Sequence, residues 1–190
     1  RAAVAAAVGV HAYGKREVVV RVNGLETPWI ARDIAAIVAA HPDAVLVPKI
    51  SRPEDIRRAR AAMHAAQAPE GVALWAMIET PLAVLNVAAI AATAASNSGV
   101  PLAALVIGTN DLMTETGIRP GNGRAALAPA LSQCVLAARA YGIAVLDGTF
   151  NELNSWDAFR AECQQGRDFG MDGKTLIHPR QVQVANEVFA

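Results

Sequence analysis

The sequence predicts an α/β fold of parallel strands, read as a (β/α)8 TIM barrel of which about six βα units are present. Three observations predict it. Short apolar strands alternate with helical segments six times, the pattern of parallel strands joined by right-handed crossovers. Charged residues stand at the ends of several strands, the edge where open α/β sheets and (β/α)-barrels do their chemistry. The chain also opens inside what reads as a helix, so the first units of a barrel are expected upstream. Alternation alone leaves an open sheet with helices on both faces as the other solution. With 190 residues, no linker and no shift in composition, residues 1–190 are expected to be one partial TIM-barrel domain.

Taken in order, residues 1–12 read as the tail of a helix. One charge followed by an apolar run has the outline of a signal peptide, but alanine is only weakly apolar and the helix tail fits better. Residues 17–23 are rich in β-branched residues and form the first strand, with Arg21 intruding near its carboxyl end. Thr27-Pro28 is expected to open a helix to about Ala40. Residues 43–48 are the next strand, ending at Lys49, and Ser51-Arg52-Pro53-Glu54 has the form of a capping box for a helix to about Gln67. The apolar run 73–78 ends on Glu79, where Thr80 suits an N-cap and Pro81 the first helical position, whose N–H has no partner in any case. The helix 81–95 and strand 103–107 follow, and the strand delivers Gly108-Thr109-Asn110-Asp111-Leu112. A Gly- and Arg-containing loop, 117–124, leads to a helix over 126–141 closed by Gly142. Strand 143–146 delivers Asp147-Gly148, Asn154 or Ser155 caps a helix to about Phe169, 173–179 is the last strand and its exit, and 180–189 is a final helix.

Composition removes several function classes. Net charge is zero and there is no basic face with interleaved aromatics, so nucleic acid is not an expected partner. Residues 80–110 carry no charge and are long enough to cross a bilayer. The stretch Ser96-Asn97-Ser98-Gly99-Val100-Pro101 breaks the run, so it reads as interior and not as membrane. Cys134 and Cys163 have neither metal-ligand nor CxxC spacing; they read as buried thiols of a reducing, cytoplasmic compartment.

The strand ends collect Arg21, Lys49, Glu79, Asp111 and Asp147, which a parallel barrel would bring to one rim. Two carboxylates, Glu79 and Asp111, with room for water and substrate oxygens suit Mg2+, which rarely takes a full cage from protein. No His or Cys cluster competes to make a zinc site. Arg21 suits a substrate carboxylate and a developing oxyanion, and the set suggests chemistry through an enolate of a small acidic molecule. The plainer alternatives are helix capping by the carboxylates and, for Arg21, an ion pair with a neighbouring strand. Three further features read as structural. Asp172-Gly173-Lys174-Thr175 ends like a phosphate-binding loop but lacks its first glycine, and its Lys enters a strand. The glycines of 117–123 follow no nucleotide fingerprint, and His178 precedes a Pro at a strand exit.

Val20-Arg21-Val22-Asn23, Val47-Pro48-Lys49, Ile78-Glu79-Thr80, Ile107-Gly108-Thr109-Asn110-Asp111-Leu112, Leu146-Asp147-Gly148 and Gly173-Lys174-Thr175-Leu176-Ile177-His178-Pro179 occur in this order. Together they resemble the citrate lyase β-subunit-like branch of the HpcH/HpaI aldolase family. The resemblance implies a (β/α)8 barrel whose first two units lie upstream and whose C-terminal lid is absent. It implies Mg2+ held by Glu79 and Asp111, and an Arg21 that binds the substrate carboxylate. Arg21, Glu79 and Asp111 are the expected catalytic residues, and Lys49 and Asp147 of the same rim are expected to bind substrate. The implied reaction makes or breaks a carbon–carbon bond between a 2-oxo acid and an acyl-CoA or acyl-carrier thioester, as in citryl- or malyl-CoA lyases. A homo-oligomer, trimer or hexamer, is implied as well. A class II pyruvate-type aldolase and a non-catalytic subunit or binding protein with a retained rim are the alternatives. The spacing from Glu79 to Asp111 exceeds the family's, which places an insertion at residues 96–101.

Overall fold

A computed structural model describes residues 1–9, 13–96, 99–119 and 122–190. Six strands, β1 Val19–Arg21, β2 Ala44–Val47, β3 Ala73–Ile78, β4 Leu102–Ile107, β5 Ala144–Asp147 and β6 Gly173–Lys174, form one parallel sheet in the order β1-β2-β3-β4-β5-β6. Each strand lies beside its successor, so the winding never reverses. Right-handed crossovers in such a sheet all fall on one face, and the open sheet with helices on both faces is excluded. The six parallel strands make a half-barrel.

Side chains alternate across this sheet with the period of two that strands impose. One set faces the helices: Val45, Val47, Leu74, Ala76, Ile78, Leu105, Ile107 and Val145 belong to the main core with Ile34, Ile56, Met63, Ile90 and Leu131. Fully buried Val, Leu, Ile and Met side chains each contribute about 1.5–3 kcal/mol of hydrophobic stabilisation. The other set lines the inside of the curve, where Leu46, Met77 and Val106 pack with Val19, Trp75 and Leu146. This parity decides which strand-end residues can share a site.

The helices are α1 Ala2–Gly9, α2 Ile30–Val38, α3 Pro53–Ala65, α4 Pro81–Ala92, α5 Thr109–Thr116, α6 Ala128–Ala140, α7 Trp156–Asp168 and α8 Gln181–Phe189. The expected cap of α4 is present: Thr80 Oγ1 accepts from the Ala83 N–H at 3.0 Å, with Pro81 as the first helical residue. Gly142, at φ 66°, ends α6 in the left-handed conformation as expected.

Several expectations need correcting. Thr27-Pro28 lies in a turn closed by a bond from the Thr27 N–H to Gly24 O, and α2 begins only at Ile30. The box at α3 is closed by Asp55 and not Glu54, since Asp55 Oδ2 accepts from the amides of Ser51 and Arg52 at 2.9 and 3.0 Å. Ser155 precedes α7 without a side-chain cap bond. The last strand is limited to β6, and helix α5 follows β4 over residues for which no element was expected. A 3-10 segment, Asn122–Leu127, occupies the end of the expected 117–124 loop; Pro120 and Gly121 lie outside the described residues, as do Val10–Ala12. In the expected insertion, Asn97 and Ser98 also lie outside them. The rest of that connection hangs on the buried Arg60, which donates to Thr93 O, Ser96 Oγ and Val100 O.

Candidate active site

Glu79 follows β3 and alternates with Trp75 and Met77, so it belongs to the inner face. It is only 3 % exposed. Its Oε1 accepts the Lys49 backbone N–H at 2.9 Å, and its carboxyl is in hydrogen-bond contact with that of Asp111. Burial first, then the neighbouring Asp111 carboxyl, push the Glu79 pKa up to about 7, against the opposing pull of the Lys49 amide.

Asp111 stands in the first turn of α5, where the helix dipole favours a negative charge, and its side chain reaches solvent. Gly108 makes the approach possible. A Cβ there would fall 2.4 Å from Glu79 Cβ and 2.7 Å from its Oε2, so only glycine lets β4 turn into α5 beneath this carboxylate. Lys49 is held at φ 56°, a costly conformation for a non-glycine residue, and it is this turn that aims its amide at Glu79. The Lys49 ammonium is exposed, 4.0 Å from Glu115 of α5, too loose a pair to order it strongly.

Arg21 ends β1 in register with Leu46, itself in register with Trp75. It alternates with Val19, so it shares the inner face with Glu79. Its side chain is exposed, beside a cavity of about 220 Å3 lined also by Asn23 and Asp33. Among the described residues no carboxylate pairs with it. A second cavity of about 470 Å3 opens at the same strand edge between Leu25, Thr27, Pro48, Lys49 and Ser51. The larger cavity, about 640 Å3, lies at the opposite ends of β1 to β3, lined by Lys15, Arg16, His41 and Asp43, away from the carboxylate pair.

Asp147 is placed elsewhere. It alternates with Leu146, which faces inward, so Asp147 points toward the helices and is fully buried. Oδ1 accepts from Arg124 Nη1 at 2.7 Å and from the Gly148 amide at 2.8 Å, while Oδ2 accepts from Lys174 Nζ at 2.8 Å. Both oxygens are thus engaged away from the inner face, so the expected substrate contact is corrected to an internal ion pair. Lys174, the residue of the false phosphate loop, has its ammonium wholly enclosed by Asp147, Glu162 and Gly148 O. His178 accepts from the Arg180 amide at 3.1 Å, the structural role expected. Residues the sequence reading missed are Gly108, Arg124 and Glu162. Only Gly108 carried a local signal, as the glycine between a strand and an acidic helix start.

Glu79 and Asp111 could hold a hard divalent cation: two adjacent carboxylates, one buried and reluctant to ionise alone, lack the counter-charge that such an ion brings. Among the described residues no group of three or more His, Cys, Asp or Glu forms a fuller cage. A pair of carboxylates suits Mg2+, which keeps several waters or substrate oxygens. No helix of the described residues is long and apolar enough to cross a membrane.

The chain is similar to several known proteins. A family described as HpcH/HpaI aldolase/citrate lyase matches residues 1–179. A (3S)-malyl-CoA thioesterase of Cereibacter sphaeroides is 46% identical over 178 residues, covering 94% of this chain and 58% of that protein. Citrate lyase subunit beta of Leuconostoc mesenteroides subsp. cremoris is 36% identical, covering 94% and 59%. The chain therefore spans about three fifths of the length of these relatives. Among solved structures, the protein CitE from Mycobacterium tuberculosis, in complex with magnesium and acetate, aligns with a TM-score of 0.74 at 26% identity, over 90% of this chain and 67% of that one.

Proposed function

We propose a function for a chain that belongs to the HpcH/HpaI aldolase/citrate lyase family: Mg2+-dependent cleavage or formation of a carbon–carbon bond between a 2-oxo acid and an acyl thioester. The observation that carries it is the contact of Glu79 and Asp111 at the carboxyl edge of β3 and β4, with Arg21 unpaired on the same sheet face. When bound between the carboxylates, Mg2+ would act as a Lewis acid toward substrate oxygens. Arg21 would grip the oxo-acid carboxylate through its planar fork. Cleavage of a β-hydroxyacyl thioester removes the hydroxyl proton, forms the 2-oxo acid carbonyl, and leaves the thioester enolate to take up a proton.

The enclosed position of Glu79 keeps water from competing for that carboxylate, and the Lys49 amide fixes which oxygen is left for the ion. The reading extends to a homo-oligomer, supported by Leu85 and Leu136, which stand 75% and 72% exposed on α4 and α6. It extends also to a reducing, cytoplasmic setting, supported by the unpaired Cys134 and Cys163.

Thioester hydrolysis is the second reading, favoured by the malyl-CoA thioesterase among the relatives. Product analysis separates the two. Incubation with malyl-CoA and Mg2+ is expected to yield acetyl-CoA and glyoxylate, whereas release of malate and free CoA would assign the hydrolysis. Glu79→Gln is expected to abolish turnover and weaken Mg2+ binding in calorimetry. Unchanged affinity would reduce Glu79 to a helix-opening residue.

A further inference from the structure

We propose that the buried ion cluster of Arg124, Asp147, Glu162 and Lys174 is a positioning device for Asp111, acting through Gly148 and Thr109; this rests on the metal reading of Glu79 and Asp111 given above. The cluster contains two cations and two carboxylates and lies between β5, β6 and α7. Lys174 Nζ donates to Asp147 Oδ2 at 2.8 Å, to Glu162 Oε1 at 2.7 Å and to Gly148 O at 2.6 Å. Arg124 Nη1 donates to Asp147 Oδ1 at 2.7 Å, and its Nε lies 3.1 Å from Gln165 Oε1 and 3.3 Å from Glu162 Oε2. Enclosure of four charges is a heavy desolvation cost that apolar residues would not incur. Something other than stability is the expected return.

The direction of the hydrogen bonds shows what the cluster holds. Asp147 Oδ1 accepts the Gly148 amide, Lys174 holds the Gly148 carbonyl, and Asp147 O accepts both the amide and the hydroxyl of Thr175. Both polar groups of the Gly148 backbone are therefore fixed from the helix side. On its other side Gly148 abuts the start of α5: a Cβ there would lie 2.3 Å from Thr109 Oγ1, 2.8 Å from its Cγ2 and 2.9 Å from Ile107 O. Thr109 is buried and opens the turn that bears Asp111. The next residue is tied to the same segment, since Asn151 Nδ2 donates to Asn110 Oδ1 at 2.8 Å and Asn110 Nδ2 to Thr149 Oγ1 at 3.2 Å. The first turn of α5 is thus pressed against residues 148–151, and the ion cluster anchors that segment. None of the four charges touches the carboxylate pair. They set where Asp111 stands relative to Glu79.

The test uses Mn2+ as the probe, its binding followed by electron paramagnetic resonance. Lys174→Met with Glu162→Gln removes the bond to Gly148 O and keeps the cluster neutral, with Arg124 still paired to Asp147. Mn2+ affinity is expected to fall on the order of tenfold, the lower end for residues that orient a metal ligand, with near-ultraviolet circular dichroism unchanged. Thr109→Ala, which removes the contact with Gly148, is expected to weaken binding similarly, and Thr109→Val, which keeps its bulk, to restore it. Combining Thr109→Ala with the cluster variant is expected to add nothing, because both break one linkage. A folded cluster variant with parental Mn2+ affinity, or additive losses, would overturn the proposal alone. If the cluster variant does not fold, the Thr109 pair decides: loss in Thr109→Ala with retention in Thr109→Val supports it, and parental affinity in both overturns it. A parent protein that binds no Mn2+ overturns the metal reading and this proposal together.

Discussion

Gly108 lies so close beneath Glu79 that a Cβ on it would come within 2.4 Å of the Glu79 Cβ. The nearest atom belongs to the stem of the side chain and not to its flexible end, so the strand or the carboxylate must move. Gly108→Ala is accordingly expected to fold with a lowered melting temperature and to lose metal affinity by tenfold or more, comparable to disturbing an orienting neighbour. Calorimetric titration with Mg2+ beside a thermal melt checks this. Parental affinity would mean the site tolerates a shift of Glu79.

Arg21 offers the most direct kinetic test. Lysine keeps the charge but cannot reproduce the two-pronged contact with a carboxylate. Arg21→Lys should retain fold and Mg2+ binding and lose activity on the order of 10²–10³-fold, as when an oxyanion donor is removed. The measurement is steady-state kinetics on an active parent, with both melts recorded. Near-parental turnover, or a melt low enough to account for the loss, would remove the catalytic assignment.

Asp33 predicts acid sensitivity. It is buried at 6 % exposure, which alone would raise its pKa. Bonds from Asn23 Nδ2 at 2.5 Å and Arg1 Nε at 2.6 Å outweigh burial and hold it below its usual 3.8. A depressed carboxylate stabilises the fold above its unfolded pKa, and the contribution is lost as pH falls through the folded value. Asp33→Asn should therefore be less stable than the parent at pH 7 and converge with it below about pH 3.8. Denaturant melts across that range decide; a gap that persists in acid would assign the loss to packing.

The two thiols should be inert in the native protein. Burial pushes Cys134 up to about 12, and Cys163 up to about 11, so the reactive thiolate is scarce at neutral pH. A chromogenic disulfide reagent at pH 8 should titrate neither until denaturant is added. Fast labelling of one thiol would show that its helix opens locally.

Much of the site was legible in the sequence because its residues follow strands whose ends are marked by strong punctuation. Thr80-Pro81 fixes the end of β3, and with it Glu79; Gly108 and the acidic start of α5 fix Asp111. Asp147 misled for a reason of parity. It sits one residue beyond the inward-facing Leu146, and a shift of one position moves a strand residue to the opposite face. Its partners Arg124, Glu162 and Lys174 are distant in sequence, so no local spacing announces the cluster. Helix α5 was hidden because Thr109-Asn110-Asp111-Leu112-Met113-Thr114-Glu115-Thr116 is polar and brief, with Thr109 and Leu112 its buried residues. Thr27-Pro28 has the same letters as Thr80-Pro81, yet the Thr27 hydroxyl bonds backward to Gly24 O and closes a turn.

The consecutive strand order also sets a timetable for folding. Every strand pairs with the one that follows it in the chain, so the sheet can grow from one side as successive units become available, with no strand waiting for a distant partner. The gaps to be closed are unequal, however. Val19 meets Ala44 and Ala44 meets Ala73, but Ala104 must meet Ala144. Loop-closure entropy rises slowly with the length enclosed, which makes the pairing of β4 with β5 the costliest of these closures, by less than about 0.6 kcal/mol. The enclosed stretch carries Asp111 and Arg124, so the longest loop closed between neighbouring strands is also the one that bears the second carboxylate and a cation of the buried cluster.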